Sequence, residues 1–235
     1  MLEFKLFGIP ISVHFSFLIV VVFVFGIGLD GTELALFGLA AFLSILLHEL
    51  GHALTARAFG AKVMGIVLQT LGGVTYWQPD GASTRGWPRF AIAAAGSGLQ
   101  VLVGLGLWAA ISMGWFGSLL QTAMAHPLDG TVFQIGIFFN EYGLFFLGVF
   151  TLVSVIWALF NLLPVGGFDG AHMLRELLEM RFPETAWLHA LMIGLATAGI
   201  ASWLLYNAGY EFAPLVLMLF AGMDLVNVVQ SRSRR

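Results

Sequence analysis

The sequence predicts an all-α polytopic membrane protein, with about six transmembrane helices and a membrane-embedded β-hairpin between the second and third. Three observations carry this. Hydrophobic residues make up 59% of the 235 positions and charged residues only 10%, against roughly 25% charge in a soluble domain. Mean hydropathy is correspondingly high, at +0.93. Six segments, near residues 11–29, 34–57, 88–112, 142–163, 186–206 and 212–230, are long and apolar enough to cross a bilayer. If those six alternate in direction, all ten Lys and Arg fall on one side.

The first segment is too long for the apolar region of a cleavable leader, lacks a basic start, and is followed at once by a second span, so it reads as a span itself. Lys5 precedes it. Arg57, Lys62, Arg85 and Arg89 flank the connection after the second span, Arg175 and Arg181 follow the fourth, and Arg232, Arg234 and Arg235 close the chain. The opposite loops carry Asp30, Glu33, Asp129, Glu141 and Glu211, with no positive charge. Because cytoplasmic loops retain Lys and Arg, both termini are expected in the cytoplasm, in a multi-pass protein of the cell membrane. The formal charge of −3 decides nothing by itself. Residues 1–235 are expected to form a single membrane domain with a core at about 34–180, and no nucleic-acid partner is expected. Between spans two and three, Ala61 to Trp77 is apolar, β-branched and aromatic, and is broken by Gly72-Gly73. A β-hairpin fits it better than a helix. Non-helical backbone at membrane depth must be covered by protein or line a wet cavity, so the hairpin is expected against the functional site.

That site is announced by His48-Glu49-Leu50-Gly51-His52, inside the apolar stretch from Leu34 to Ala56. A charged side chain at that depth costs about 3 kcal/mol on insertion scales, so these residues call for a compensating partner. Histidines four apart share a helix face and can both reach one Zn²⁺. Glu49 lies beside them, in reach of a proton on a zinc-activated water. Without cysteine, disulfides and thiolate ligands are excluded, and any metal must take His, Asp or Glu. His48 lies ten residues, roughly 15 Å, from the cytoplasmic end of its span, so the active site is expected nearer that face. A catalytic zinc keeps three protein ligands and an open position. Asp169, following Pro164 and Gly166-Gly167 where the fourth span is interrupted, is the candidate third ligand. Capping of a helix over Gly170 to Glu179 is its alternative role.

His48 to His52 on one span, followed far downstream by Asn161-x-x-Pro164-x-x-x-x-Asp169-Gly170, resembles the site-2 protease family of intramembrane zinc metalloproteases, in its short form without an appended domain. The resemblance extends through most of the first 180 residues. Gly8-Ile9-Pro10-Ile11 with His14 is similar to the family's N-terminal signature, Leu71-Gly72-Gly73-Val74 to its membrane hairpin, and Gly96 to Gln100 to its Gly-x-x-x-Asn element. It implies His48, His52 and Asp169 as ligands of one zinc ion, Glu49 as general base, and Asn161, Gln100, Gly72 and Gly73 as substrate-binding positions. Gln100 departs from the family's Asn, and a helix–helix hydrogen bond is its alternative role; for Asn161 the alternative is capping the broken helix.

Other polar residues have plainer readings. His172 is expected to orient the helix beside the metal, His14 to be structural, and His126, His189 and Glu141 to be solvated near span ends. Ser97 suits close helix packing between Gly96 and Gly98. Asp224, inside the last span, has no evident partner in sequence. The implied function is cleavage of a transmembrane segment of a membrane-embedded protein or peptide within the lipid bilayer, by water activated on zinc. Its substrate helix must unwind, and an extended peptide can pair with the hairpin edge. A metal transporter would instead repeat ligands along a path and show inverted symmetry, neither of which is visible. An inert membrane binding protein would have no use for Glu49.

Overall fold

The computed structural model describes residues 1–20, 29, 31–70, 72–79, 86–114 and 129–233. Among the described residues, seven helices and four strands run in the order β1 (Leu2–Leu6), β2 (Ile9–Val13), α1 (Phe15–Val20), α2 (Gly31–Ala58), β3 (Lys62–Gln69), β4 (Gly72–Gln78), α3 (Trp87–Ser112), α4 (Asp129–Asn161), α5 (Asp169–Arg181), α6 (Ala186–Asn207) and α7 (Phe212–Ser233). Among the described residues, four helical segments are long and apolar enough to cross a membrane: Gly31–Ala58, Trp87–Ser112, Tyr142–Asn161 and Ala186–Asn207. They coincide with the expected second to fifth spans. Ala213–Val228 in α7 is a shorter apolar helix, where the sixth was expected. Most of the expected first span, together with Leu71, Asp30, Arg85, His126, Arg234, Arg235 and the side chains of Asp129, Glu141 and Arg232, lies outside the described residues.

The expectation of an all-α chain with one hairpin needs correction, because the sheet has four strands in the order β1-β2-β3-β4. Residues 11–13, assigned above to the first span, belong to β2 and pair in parallel with Ile66, Val67 and Leu68 of β3. Their reason is local. Ile9, Ile11 and Val13 alternate with Pro10 and Ser12, and the three apolar side chains are buried on one face. Phe7 and Gly8 both take positive φ, 52° and 79°, which is the backbone of a tight two-residue hairpin turn between β1 and β2. Arg57, at the end of α2, donates to the Phe7 carbonyl across 2.9 Å and ties that turn to the helix.

The buried face of the sheet, from Ile9 to Val13 and at Ile66 and Leu68, packs on Ile45, Leu46, Leu50 and Ala53 of α2. Helix α2 therefore lies at the centre, against the sheet on one side and α3 and α4 on the other. Its approach to α3 depends on glycine: a Cβ on Gly51 would stand 2.6 Å from the Ala95 carbonyl oxygen. Small residues at such crossings let two backbones meet. On α3 the buried residues Ile92, Gly96, Gln100 and Gly104 recur every four positions, with Ser97 beside them, so one stripe faces the core.

Helix α4 ends at Asn161, and the chain turns through Pro164 and Gly167, whose φ of +90° favours glycine. This break is held from α7. A Cβ on Gly166 would collide with Asp224, and one on Gly167 would stand 2.7 Å from the Phe220 ring. Asp224 thus packs against the segment that delivers Asp169.

Candidate active site

Helix α2 presents His48, Glu49 and His52 side by side, all buried. Asp169 is the first residue of α5, after Phe168 at the N-cap. Its carboxylate points at the histidines: Oδ2 lies 3.1 Å from His48 Nε2, and Oδ1 3.3 Å from His52 Nε2. The two Nε2 atoms are 3.0 Å apart. With zinc–nitrogen bonds of about 2.05 Å, ligand atoms on a tetrahedron stand about 3.3 Å from one another, so the three side chains are spaced as ligands of a single ion.

The surrounding hydrogen bonds set which nitrogen of each ring is free. His52 Nδ1 is 2.7 Å from the Ile92 carbonyl, which can only accept, so Nδ1 carries the hydrogen. His48 Nδ1 is 2.9 Å from Gln100 Oε1, also an acceptor. With Nδ1 holding a hydrogen, Nε2 is the atom of each ring left to offer a lone pair, and the two Nε2 atoms face each other and a carboxylate. That is a donor set for a cation, and nitrogen with carboxylate oxygen suits zinc. All three outer partners come from α3: the Ile92 carbonyl, Gln100, and Ser97, whose hydroxyl donates to Asp169 Oδ2 across 3.0 Å. Helix α3 can come so close because a Cβ on Gly96 would overlap the His52 ring.

Glu49 faces the sheet. Thr75 on β4 donates its hydroxyl to Glu49 Oε2 across 2.7 Å. A Cβ on Gly73 would stand 2.7 Å from Oε1. Gly73 is therefore where the strand meets the carboxylate, and Gly72 next to it packs against Trp157 of α4. Asn161 is buried at the end of α4 with its amide donating to the Trp157 carbonyl at 3.1 Å. His172 is exposed and stands outside the three-residue cluster, as does exposed His14. His189 lies 3.4 Å from the Thr185 hydroxyl.

Sequence reasoning missed the contacts of Thr75, Ser97 and Ser44. Thr75 carried one usable signal, its place on a β-branched strand two residues from Gly73. The hydroxyls of Ser97 and Ser44 sit in apolar helices where periodicity marks a face and says nothing of a partner.

Comparison with known proteins shows the family. A zinc metalloprotease of Methanocaldococcus jannaschii is 28% identical over 181 residues, covering 76% of this chain and 45% of that protein. A protein of Synechocystis sp. is 30% identical over 186 residues, covering 74% of this chain and 42% of its own length. The chain thus spans less than half the length of these relatives. The site-2 protease structure from Methanocaldococcus jannaschii has the same fold, with a TM-score of 0.58 at 24% identity over 95% of this chain and 94% of that one. The model of peptidase family M50 matches residues 36–201, which hold His48, Glu49, His52 and Asp169. The chain belongs to peptidase family M50, the family of the site-2 proteases.

Proposed function

We propose that this chain is an intramembrane zinc metalloprotease that cleaves a transmembrane segment of a membrane-protein substrate. The observation that carries the reading is the convergence of His48 Nε2, His52 Nε2 and the Asp169 carboxylate, with Glu49 buried one residue away. Zinc held there supplies Lewis acidity toward a peptide carbonyl and toward water. Glu49 is the proton carrier. Thr75 occupies its Oε2, so Oε1 is left to take a proton from water and later return it to the leaving amine.

The substrate must expose a peptide bond that a helix keeps in its own hydrogen bonds. Strand β4 is at the end of the strand order and has no partner on its outer edge among the described residues. An extended peptide added there has its backbone satisfied and passes beside Glu49, which contacts the same strand through Thr75 and Gly73. Gly72 and Gly73 serve this pairing by leaving room, and Asn161 at the end of α4 and Gln100 on α3 remain the further candidate substrate-binding positions. On this reading the sheet lies at membrane depth, about six spans alternate, both termini are cytoplasmic, and water reaches the site from the cytoplasmic face.

Purified protein should carry one zinc per chain and cleave a membrane-embedded test peptide, with activity lost to a chelator and restored by zinc. Asp169→Ala should lower zinc occupancy about 10-fold or more at limiting metal, as for loss of any of three ligands. Full occupancy with normal cleavage in that variant would place the third ligand elsewhere.

A further inference from the structure

We propose that Gln100 is a positioning residue for the metal centre, fixing His48 in the tautomer that leaves Nε2 free to bind. The inference rests on the reading that His48 ligates zinc. Gln100 is fully buried on α3, and each polar atom of its amide has a partner. Its Nε2 donates to the Ser44 carbonyl and the Ser44 hydroxyl, both at 3.0 Å. Ser44 Oγ is in turn 2.9 Å from Ser154 Oγ on α4.

The carbonyl of Ser44 decides the orientation. A carbonyl cannot donate, so the amide NH₂ must face Ser44, and Oε1 must face His48. A flipped amide would set oxygen against oxygen at Ser44 and lose both bonds there. In a buried site each lost polar partner is costly, because no water replaces it. With Oε1 fixed toward Nδ1 at 2.9 Å, His48 is favoured with its hydrogen on Nδ1 and a lone pair on Nε2. A flipped amide would present NH₂ to Nδ1, favour hydrogen on Nε2, and block the ligand position. The backbone of α2, four residues before His48, thus selects the histidine tautomer through a side chain of α3. Ser154 brings α4 into the same chain of contacts.

The test is zinc affinity of the metal-stripped full chain, measured by titration against a chelator, with the thermal midpoint of each stripped protein as the control for folding. Gln100→Met keeps length and removes the acceptor; zinc should bind about 10–100-fold more weakly to a stripped protein that still unfolds in one cooperative thermal transition. A packing role alone predicts that folded Gln100→Met binds zinc as the original does. That result would overturn the inference. Gln100→Leu takes the place of Gln100→Met if that variant is not recovered folded. An unsubstituted chain that binds no zinc would instead refute the metal reading itself.

Discussion

Ser97 and Asp169, 72 positions apart in the chain, are joined by a hydrogen bond of 3.0 Å from the serine hydroxyl to carboxylate Oδ2. The bond links α3 to the first turn of α5 and holds the carboxylate toward the histidines. Ser97→Ala should leave the fold in place and weaken zinc binding about 10-fold, the lower end for loss of an outer partner. Chelator competition checks this; unchanged affinity would mean that Gly170 and the α4–α5 break alone fix Asp169.

Glu49→Gln removes the base without touching a ligand. Turnover should fall about 10²–10⁴-fold, the usual contribution of proton transfer, with zinc content unchanged by elemental analysis. Thr75→Val, which frees Oε2, should lower kcat by a smaller factor and leave zinc in place. Equal turnover of Glu49→Gln and the original protein would remove Glu49 from the mechanism.

Two glycines two positions apart on α3 should respond in opposite directions. Replacing a solvent-accessible helical Gly by Ala gains about 0.8–1 kcal/mol from propensity. Gly98 has no atom within 4 Å of a built Cβ, so Gly98→Ala should raise the thermal midpoint. At Gly96 the Cβ overlaps the His52 ring, and overpacking costs about 1–3 kcal/mol. The cost exceeds the gain, so Gly96→Ala should lower both the midpoint and zinc occupancy. A thermal scan and metal analysis of the two proteins decide it.

The chain has no cysteine, so single-cysteine variants report on sidedness directly. Glu184→Cys, between α5 and α6, should react with a membrane-impermeant thiol reagent from the cytoplasmic side only. Tyr210→Cys, between α6 and α7, should react from the opposite side only. The reverse pattern would invert the topology.

The parts of this molecule that were legible in sequence are those with a strong local signal. Four apolar segments of 20 or more residues stood out by composition, and His48 and His52 by a four-residue spacing that places them on one helix face. Asp169 stood out because Pro164 and two glycines interrupt an apolar run just before it. The β1–β2 pair was hidden for a physical reason. Five alternating residues at Ile9–Val13 merge into the apolar stretch that follows, and their parallel partner Ile66–Leu68 lies beyond helix α2. Asp224 had no visible partner because its contact, the Gly166 backbone, depends on how α7 folds back over the break. Gln100 stood out only where it departs from the Asn of the Gly-x-x-x-Asn element, and the three-dimensional arrangement alone sets its oxygen against His48.

The third member of the cluster arrives late. Ribosomes deliver His48, Glu49 and His52 first, and Asp169 only after α3 and α4 have been made. At elongation rates of about 5–20 residues per second, the two histidines wait about 6–23 seconds for the carboxylate. A truncated or unfinished chain carries the base and both imidazoles but lacks the carboxylate that completes the metal set. Assembly order therefore leaves the three-residue cluster incomplete until the helix bundle is nearly complete.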